Sequence, residues 1–132
     1  MKKRVESLAR VVKLAAQMHE LGRWRLSTIE REQASLSEDL RDVYAAFEGG
    51  EFAYGGHAKL GVRRAHALQK RLDALERESE RAARMARAYG VRAKLAEQAA
   101  ETIGKAWRER EARKELADLI ERTLRRRDAS QE

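Results

Sequence analysis

Apolar and small residues recur at alternating steps of three and four along two long stretches of this chain. An α-helix turns once in about 3.6 residues, so such a track stays on one helix face, and over several heptads it is typical of a coiled coil. The first track consists of Val5, Leu8, Val12, Ala15, His19, Gly22, Leu26, Ile29, Gln33, Leu36, Leu40, Val43 and Phe47. The second consists of Ala65, Leu68, Leu72, Leu75, Ser79, Ala82, Ala86, Tyr89, Ala93, Ala96, Ala100, Ile103 and Trp107. The sequence therefore predicts two long helices, each with one buried seam.

Two glycine pairs separate these tracks, at positions 49–50 and 55–56. Glycine reaches positive φ at low cost and weakens a helix interior by about 1 kcal/mol, so paired glycines favour a turn. Residues 48–56 also contain Phe52 and Tyr54, which we expect to pack against the helix ends or to meet a partner. The predicted fold is all-α: an antiparallel two-helix coiled-coil hairpin with a longer second helix. It forms a single domain over residues 1–132, with helices at about 5–47 and 57–127.

The first track weakens at His19 and Gly22. A neighbouring row, which consists of Val11, Leu14, Met18 and Leu21, is expected to take over the packing there. Across from this part of the chain the second track is rich in alanine. Because small seam residues let helix backbones approach, the two helices are expected to lie closest in this region.

The two predicted helices differ in length. If Phe47 pairs near His57, then Val5 pairs near Ala99, and residues 100–127 extend without a companion. Beyond Trp107 the apolar residues leave the earlier track and continue as Ala112, Leu116, Leu119, Ile120 and Leu124. An isolated helix gains little stability from propensity alone, so an uncovered apolar face of this size predicts a protein partner or self-association.

Composition narrows the class of protein. The 132 residues include no proline and no cysteine, and no apolar run approaches the roughly 20 residues of a membrane span, so we expect a soluble cytoplasmic protein. The formal charge is +7, but 29 cationic residues are interleaved with 22 acidic ones. Between Glu20 and Glu48 seven acids face four arginines, whereas residues 59–94 hold eleven cations and four acids. This asymmetry favours an antiparallel arrangement of the two helices.

No pattern of catalytic or ligand-binding residues accompanies the helices. The histidines, His19, His57 and His66, lack a partner at metal-ligand spacing, and the glycine pairs are not followed by the Lys-Ser or Lys-Thr of a phosphate-binding loop. We therefore predict no enzyme activity, no cofactor, no metal and no small-molecule substrate. Trp and Arg are frequent anchors of protein interfaces, and the predicted partner-binding residues on the second helix combine both types with the apolar stripe. They are Trp107, Arg108, Arg110, Arg113, Leu116, Ile120 and Leu124.

The overall plan resembles the FliJ family of the bacterial flagellar type III export apparatus and its YscO-type counterparts. A basic start leads through residues 4–14, RVESLARVVKL, into a first helix of about forty residues, followed by a glycine-containing turn and a longer helix with an Arg/Glu-rich end. The resemblance implies a stalk similar to the rotary ATPase γ subunit, which docks in the ring of the export ATPase. It also implies contacts with the cytoplasmic domain of the export gate and with export chaperones. The chain would then be cytoplasmic and peripherally associated with the inner-membrane export apparatus.

The family's gate contacts lie on exposed helix surface, with aromatic residues late in the first helix. Tyr44 and Phe47 occupy that region, and Tyr44 lies off the seam, so the resemblance implies Tyr44 as the gate contact. Two other functions remain open from the sequence. A basic coiled coil binds nucleic acid with a steep salt dependence, although the mixed charges here favour a protein partner. A homodimeric coiled coil would pair the ends of the second helices, and the chain would be a monomer or a weak dimer, as a closed hairpin or in swapped form.

Overall fold

The computed structural model describes residues 1–50 and 56–131, which form two α-helices and no strand. Helix α1 comprises Lys2–Glu48 and helix α2 comprises Gly56–Gln131. The predicted all-α hairpin of two antiparallel helices, the second one longer, is confirmed. Neither helix holds, in the described residues, an apolar segment long enough to cross a membrane. The predicted packing of Phe52 and Tyr54 lies outside the described residues.

Contacts divide the chain into two units, each containing a piece of both helices. We call Gln17–Gly90 the central unit, and residues 1–16 together with residues 91–131 the terminal unit.

Helix α1 ends in the first glycine pair. The backbone N–H of Gly49 donates to the carbonyl oxygen of Ala45 at 2.8 Å, and that of Gly50 donates to the carbonyl oxygen of Phe47 at 3.2 Å. Gly50 has a φ of +76°, the left-handed conformation that commonly follows the last turn of a helix. The first glycine pair therefore stops the helix, as the sequence predicts.

In the central unit the two helices pack through the predicted seams. Every seam position of α1 from His19 to Phe47, and every seam position of α2 from Ala65 to Tyr89, is buried or half-buried. Leu75 is fully covered, with none of its surface exposed. The other buried seam residues of this unit are Leu40, Val43, Ala82 and Ala86. The heptad spacing therefore identifies the contact face correctly.

The helices approach closely at Gly22, but not in the way the sequence suggests. A Cβ atom on Gly22 would stand 3.4 Å from the Cα atom of Ala86, so the two backbones nearly touch. The prediction that Met18 and Leu21 take over the packing is wrong, because these side chains are 37% and 50% exposed. Because Gly22 has no side chain, α2 packs directly against the backbone of α1 at this position. The flanking row with Met18 and Leu21 therefore lies outside the seam.

The register of the pair also differs from the expected one. Counting back from a pairing of Phe47 with His57 places Ala82 opposite Gly22, whereas the nearest backbone atom belongs to Ala86, one helical turn further along. The close approach at Gly22 needs a small residue opposite it on α2, and Ala86 meets that need in the observed register.

A charged cluster crosses the helix pair nearer to the turn. Nη2 of Arg71 on α2 lies 3.1 Å from Oε1 of Glu32 on α1, and its Nη1 lies 3.7 Å from Oε1 of Glu78. All three side chains are between 41% and 47% exposed, so the stabilisation is small, of order 0.2–1 kcal/mol per pair. The cluster joins an acidic stretch of α1 to a basic stretch of α2, as the charge distribution predicts.

In the terminal unit the helices also pack through the predicted seams, and Val5 is the first half-buried residue of α1. Val5, Leu8, Val12 and Ala15 are half-buried, as are Ala96, Ala100, Ile103 and Trp107, while Ala93 and Gly104 are buried. By contrast, Val11 and Leu14 of the flanking row are 50% and 60% exposed. The seams therefore carry the packing of this unit, and the flanking row does not.

Candidate protein-interaction surface

The uncovered part of α2 begins later than the sequence suggests. Met1 and Lys2 line a shallow depression of about 340 Å³ together with Trp107, Arg110, Glu111 and Lys114. The start of α1 therefore lies beside residues 107–114, whereas the expected pairing of Val5 with Ala99 would place Met1 beside Ile103. Glu111 is the last half-buried residue, and every residue from Ala112 to Gln131 is exposed. Residues 112–131 are therefore all exposed, and Lys114 is the one residue among them that lines the depression beside Met1 and Lys2.

Large apolar side chains cover one face of that segment. Leu116 and Leu119 are each 57% exposed, Ile120 is 52% exposed and Leu124 is 54% exposed. We call these four residues the C-terminal stripe. Their spacing of three, one and four residues places them on consecutive turns of one helix face. The stripe therefore offers a continuous apolar surface that no described residue covers.

Local interactions support the helix beneath the stripe. The side chains of Glu121 and Arg125 form an i,i+4 ion pair at 2.7 Å, and the hydroxyl of Thr123 donates to the carbonyl oxygen of Leu119 at 2.9 Å. The segment contains no glycine or proline and is rich in Ala, Leu, Glu and Arg, which are strong helix formers. These features favour the helical state, although tertiary packing normally supplies most of the stability of such a segment.

The C-terminal stripe faces away from the helix pair. Leu116 follows Trp107 by nine residues, which is about two and a half turns, so the two side chains leave the helix on opposite sides. Trp107 faces α1, as its half-buried state beside Met1 and Lys2 shows. A partner seated on the stripe would therefore not compete with α1 for the same helix face.

The structure separates Trp107 from the other predicted partner-binding residues. Its indole is half-buried in the seam, whereas Leu116, Ile120 and Leu124 are exposed on the other side of α2. Trp107 thus contributes first to the packing of α1 on α2. Leu119, which is not among the predicted partner-binding residues, completes the stripe, and its i+3 spacing from Leu116 is the signal in the sequence.

The three predicted arginines are exposed and lie just before the stripe. Arg110 lines the depression beside Met1, and Nε of Arg113 donates to the carbonyl oxygen of Glu109 at 3.4 Å. Arg108 folds back along the helix, so that its Nη1 would stand 3.5 Å from a Cβ atom on Gly104. None of these arginines forms an ion pair with a carboxylate in the described residues. They present positive charge to solvent next to the apolar surface.

Tyr44 belongs to the central unit, whereas the C-terminal stripe belongs to the terminal unit. Its side chain is 51% exposed, although the preceding residue, Val43, is buried in the seam. The structure therefore gives Tyr44 the off-seam position that the sequence predicts.

A groove beside Gly22 is a feature that the sequence did not reveal. It has a volume of about 220 Å³, and its lining residues are Gly22, Arg25, Ile29, Glu78, Arg81, Ala82, Met85 and Tyr89. The missing side chain of Gly22 and the small side chain of Ala82 create the space. The signal for the groove in the sequence was a glycine in the seam of α1 opposite alanines in the seam of α2.

Within the described residues, no three His, Cys, Asp or Glu side chains come together in a way that could hold a metal ion. His19 lies in the seam against Gly90, and His66 is exposed on α2. The two histidines therefore occupy unrelated positions on the helix pair.

Comparison with protein-family models, with curated proteins and with solved structures finds no match to this chain.

Proposed function

We propose that this protein is a non-enzymatic helical hairpin that binds a partner protein through the C-terminal stripe. The observation that carries this proposal is the exposure of four leucine and isoleucine side chains on one face of a helix segment without a companion. Apolar patches of this kind mark interaction sites, because their burial removes contact with water. Exposed arginines before the stripe suit the polar rim of such an interface.

The partner that we propose is the export ATPase of a bacterial flagellar or related type III protein export apparatus. Support comes from the plan of the chain, which resembles the FliJ family in its basic start, its glycine-containing turn and its longer second helix. In this proposal the C-terminal segment docks in the ATPase ring. The work is mechanical and scaffolding, and it takes place in the cytoplasm at the inner-membrane export apparatus.

In the same proposal Tyr44 contacts the cytoplasmic domain of the export gate. Its exposed ring stands on α1 beside a buried seam residue, so the helix holds it in place. Contacts with export chaperones complete the proposed set of partners.

The test uses purified proteins and two variants of the chain. A chain that ends at Glu111 lacks the stripe but keeps every buried or half-buried residue of α2 in the described part of the chain. Residues 112–132 carry six cationic and five acidic side chains, so their removal hardly changes the net charge. We expect the shortened chain to keep its helical content apart from the lost segment, and to lose binding to a purified hexameric export ATPase.

A point variant separates the stripe from the rest of the segment. Leu119→Asp should weaken ATPase binding at least tenfold, because it places a carboxylate in the centre of the apolar surface. Leu95→Asp is the matched control, since Leu95 is 58% exposed on the same helix and lies outside the stripe. Full ATPase binding by the chain ending at Glu111 would reject the proposal. Binding of nucleic acid instead, with an affinity that falls steeply with salt, would favour the basic coiled-coil function.

A further inference from the structure

We infer that in the free protein a second copy of this chain covers the C-terminal stripe, with the two segments antiparallel. This inference rests on the proposed role of the stripe as a docking surface, and it names the occupant in the absence of another partner.

The geometry of the terminal unit leaves room for this arrangement. The C-terminal stripe lies on the side of α2 opposite Trp107, and α1 occupies the Trp107 side. A second helix can therefore lie along the stripe and continue past Ala112 toward Glu109 without displacing α1. The residues on that face are exposed and available to it.

The apolar residues form symmetric layers in an antiparallel pair. With a two-fold axis near Asp118, Leu116 of one copy lies opposite Leu119 and Ile120 of the other. The same pairing repeats on the other side of the axis. Ala112 of one copy then meets Thr123 and Leu124 of the second copy at each end of the apolar layers. A C2 interface requires this kind of self-complementary patch.

Charge distinguishes the two possible directions of pairing. In the antiparallel pair Glu115 flanks Arg122 of the second copy, and this attraction occurs twice by symmetry. Glu109 likewise meets Arg126 of the second copy. None of these side chains forms an ion pair with a carboxylate or a cation in the described residues, so all are free to pair between copies.

A parallel pair would place like charges together. In a parallel coiled coil, the residue at heptad position g of one helix lies near the residue five positions later, at position e, of the other helix. Arg108 would then face Arg113 of the second copy, and Arg122 would face Arg127 of the second copy. Like charges at such positions are destabilising, so the sequence of this segment favours the antiparallel direction.

The contact is small, with few apolar layers in each copy. Stable interfaces commonly bury more than about 1,200 Å² in total, and a pair of short helix segments falls at or below that range. The dimer should therefore be weak and dependent on concentration, and a tighter partner at the stripe should displace the second copy.

The chain contains no cysteine, so engineered thiols report the direction of pairing directly. Ala112→Cys and Thr123→Cys are made separately in the full chain, one copy carrying a mass tag. The copies are mixed and treated with a short bifunctional maleimide. If the pair is antiparallel, we expect cross-links between a copy with Ala112→Cys and a copy with Thr123→Cys, and few cross-links between two copies of the same variant. Cross-links only between identical variants would overturn the antiparallel direction, and an absence of cross-links would overturn the pairing.

Exchange of charges supplies an independent test by sedimentation equilibrium. Glu115→Arg and Arg122→Glu should each weaken self-association about threefold to tenfold, and the double variant should restore it, because the attraction is reversed in sign but kept. Failure of the double variant to recover would overturn the proposed charge pairing. ATPase binding is measured on the same variants. A chain that stays monomeric yet binds the ATPase through the stripe would overturn this inference alone, whereas a dimer that ignores the ATPase would overturn the proposed function alone.

Discussion

Gly22 on α1 faces the backbone of Ala86 on α2, and a Cβ atom added to Gly22 would stand 3.4 Å from the Cα atom of Ala86. The same atom would stand 3.4 Å from Cδ2 of Tyr89 and 3.7 Å from the Cβ atom of Ala86. These are contact distances without overlap. One methyl group therefore fills the space between the helices, and a larger side chain exceeds it.

Gly22→Ala should stabilise the helix pair by about 0.5–1 kcal/mol, because alanine loses less backbone freedom than glycine when a helix forms. Gly22→Leu should destabilise it by about 1–3 kcal/mol, since the γ and δ carbons would force Ala86 and Tyr89 away. Urea unfolding followed by circular dichroism measures both changes. A loss of stability in Gly22→Ala would show that the backbones are closer than this structure has them.

Gly90 lies in a tighter place. A Cβ atom there would stand 3.0 Å from Nε2 of His19, so the imidazole has to move before alanine fits. Gly90→Ala should therefore gain less stability than Gly22→Ala. In a His19→Ala background the obstacle is gone, and the same substitution should give its full gain of about 0.5–1 kcal/mol. The double-mutant cycle for unfolding in urea isolates this coupling, and additive effects of the two substitutions would contradict the contact.

The seam residues of both helices could be read from spacing alone, because heptad periodicity dictates which side of a helix meets its neighbour. His19 and Gly22 show how far this goes: they kept their place in the seam although neither is a typical core residue. A preference for larger side chains wrongly favoured Met18 and Leu21. The periodicity of the sequence indicates which face of a helix is buried, but it does not indicate how closely the two helix backbones approach each other.

Alignment of the helices was harder to predict than their contact faces. Sliding an antiparallel pair by one turn keeps nearly the same residues in the seam, so the pattern alone allows several registers. The choice between Ala82 and Ala86 opposite Gly22 depends on packing detail, and it decides where the uncovered segment begins. Trp107 was for that reason assigned to the free segment, whereas it lies beside Met1. The sequence showed that the apolar residues beyond Trp107 leave the earlier track. It did not show that Leu116 faces the side of α2 opposite Trp107.

Gly50 tests the turn that the sequence predicts. Its φ of +76° suits glycine, and among the described residues no atom beyond its chain neighbours lies within 4 Å of the place where a Cβ atom would be. Gly50→Ala should therefore cost about 1 kcal/mol through backbone strain alone, without any steric clash. Gly50→Asn should cost less, because asparagine tolerates the left-handed region better than alanine does. Equal stabilities of the two variants in urea unfolding would argue against a left-handed residue at this helix end.

The two tryptophans provide a matched pair for the terminal packing. Trp107 is half-buried beside Met1 and Lys2, whereas Trp24 is 61% exposed on α1. Trp107→Ala should lower stability by about 1–2 kcal/mol and speed amide hydrogen exchange in the first turns of α1, because that end of the helix loses its apolar support. Trp24→Ala should change stability by less than about 0.5 kcal/mol.

Hydrogen exchange read by mass spectrometry separates packing from partner binding at Trp107. If the indole supports α1, exchange over residues 2–12 rises in Trp107→Ala before any partner is added, while the exposed residues 112–131 exchange as in the unaltered chain. Unchanged exchange at the start of α1 would mean that Trp107 does not hold this helix end in solution. A loss of partner binding in that variant would then mean that the indole contacts the partner directly. The binding surface would in that case extend around α2 from the stripe to the Trp107 side.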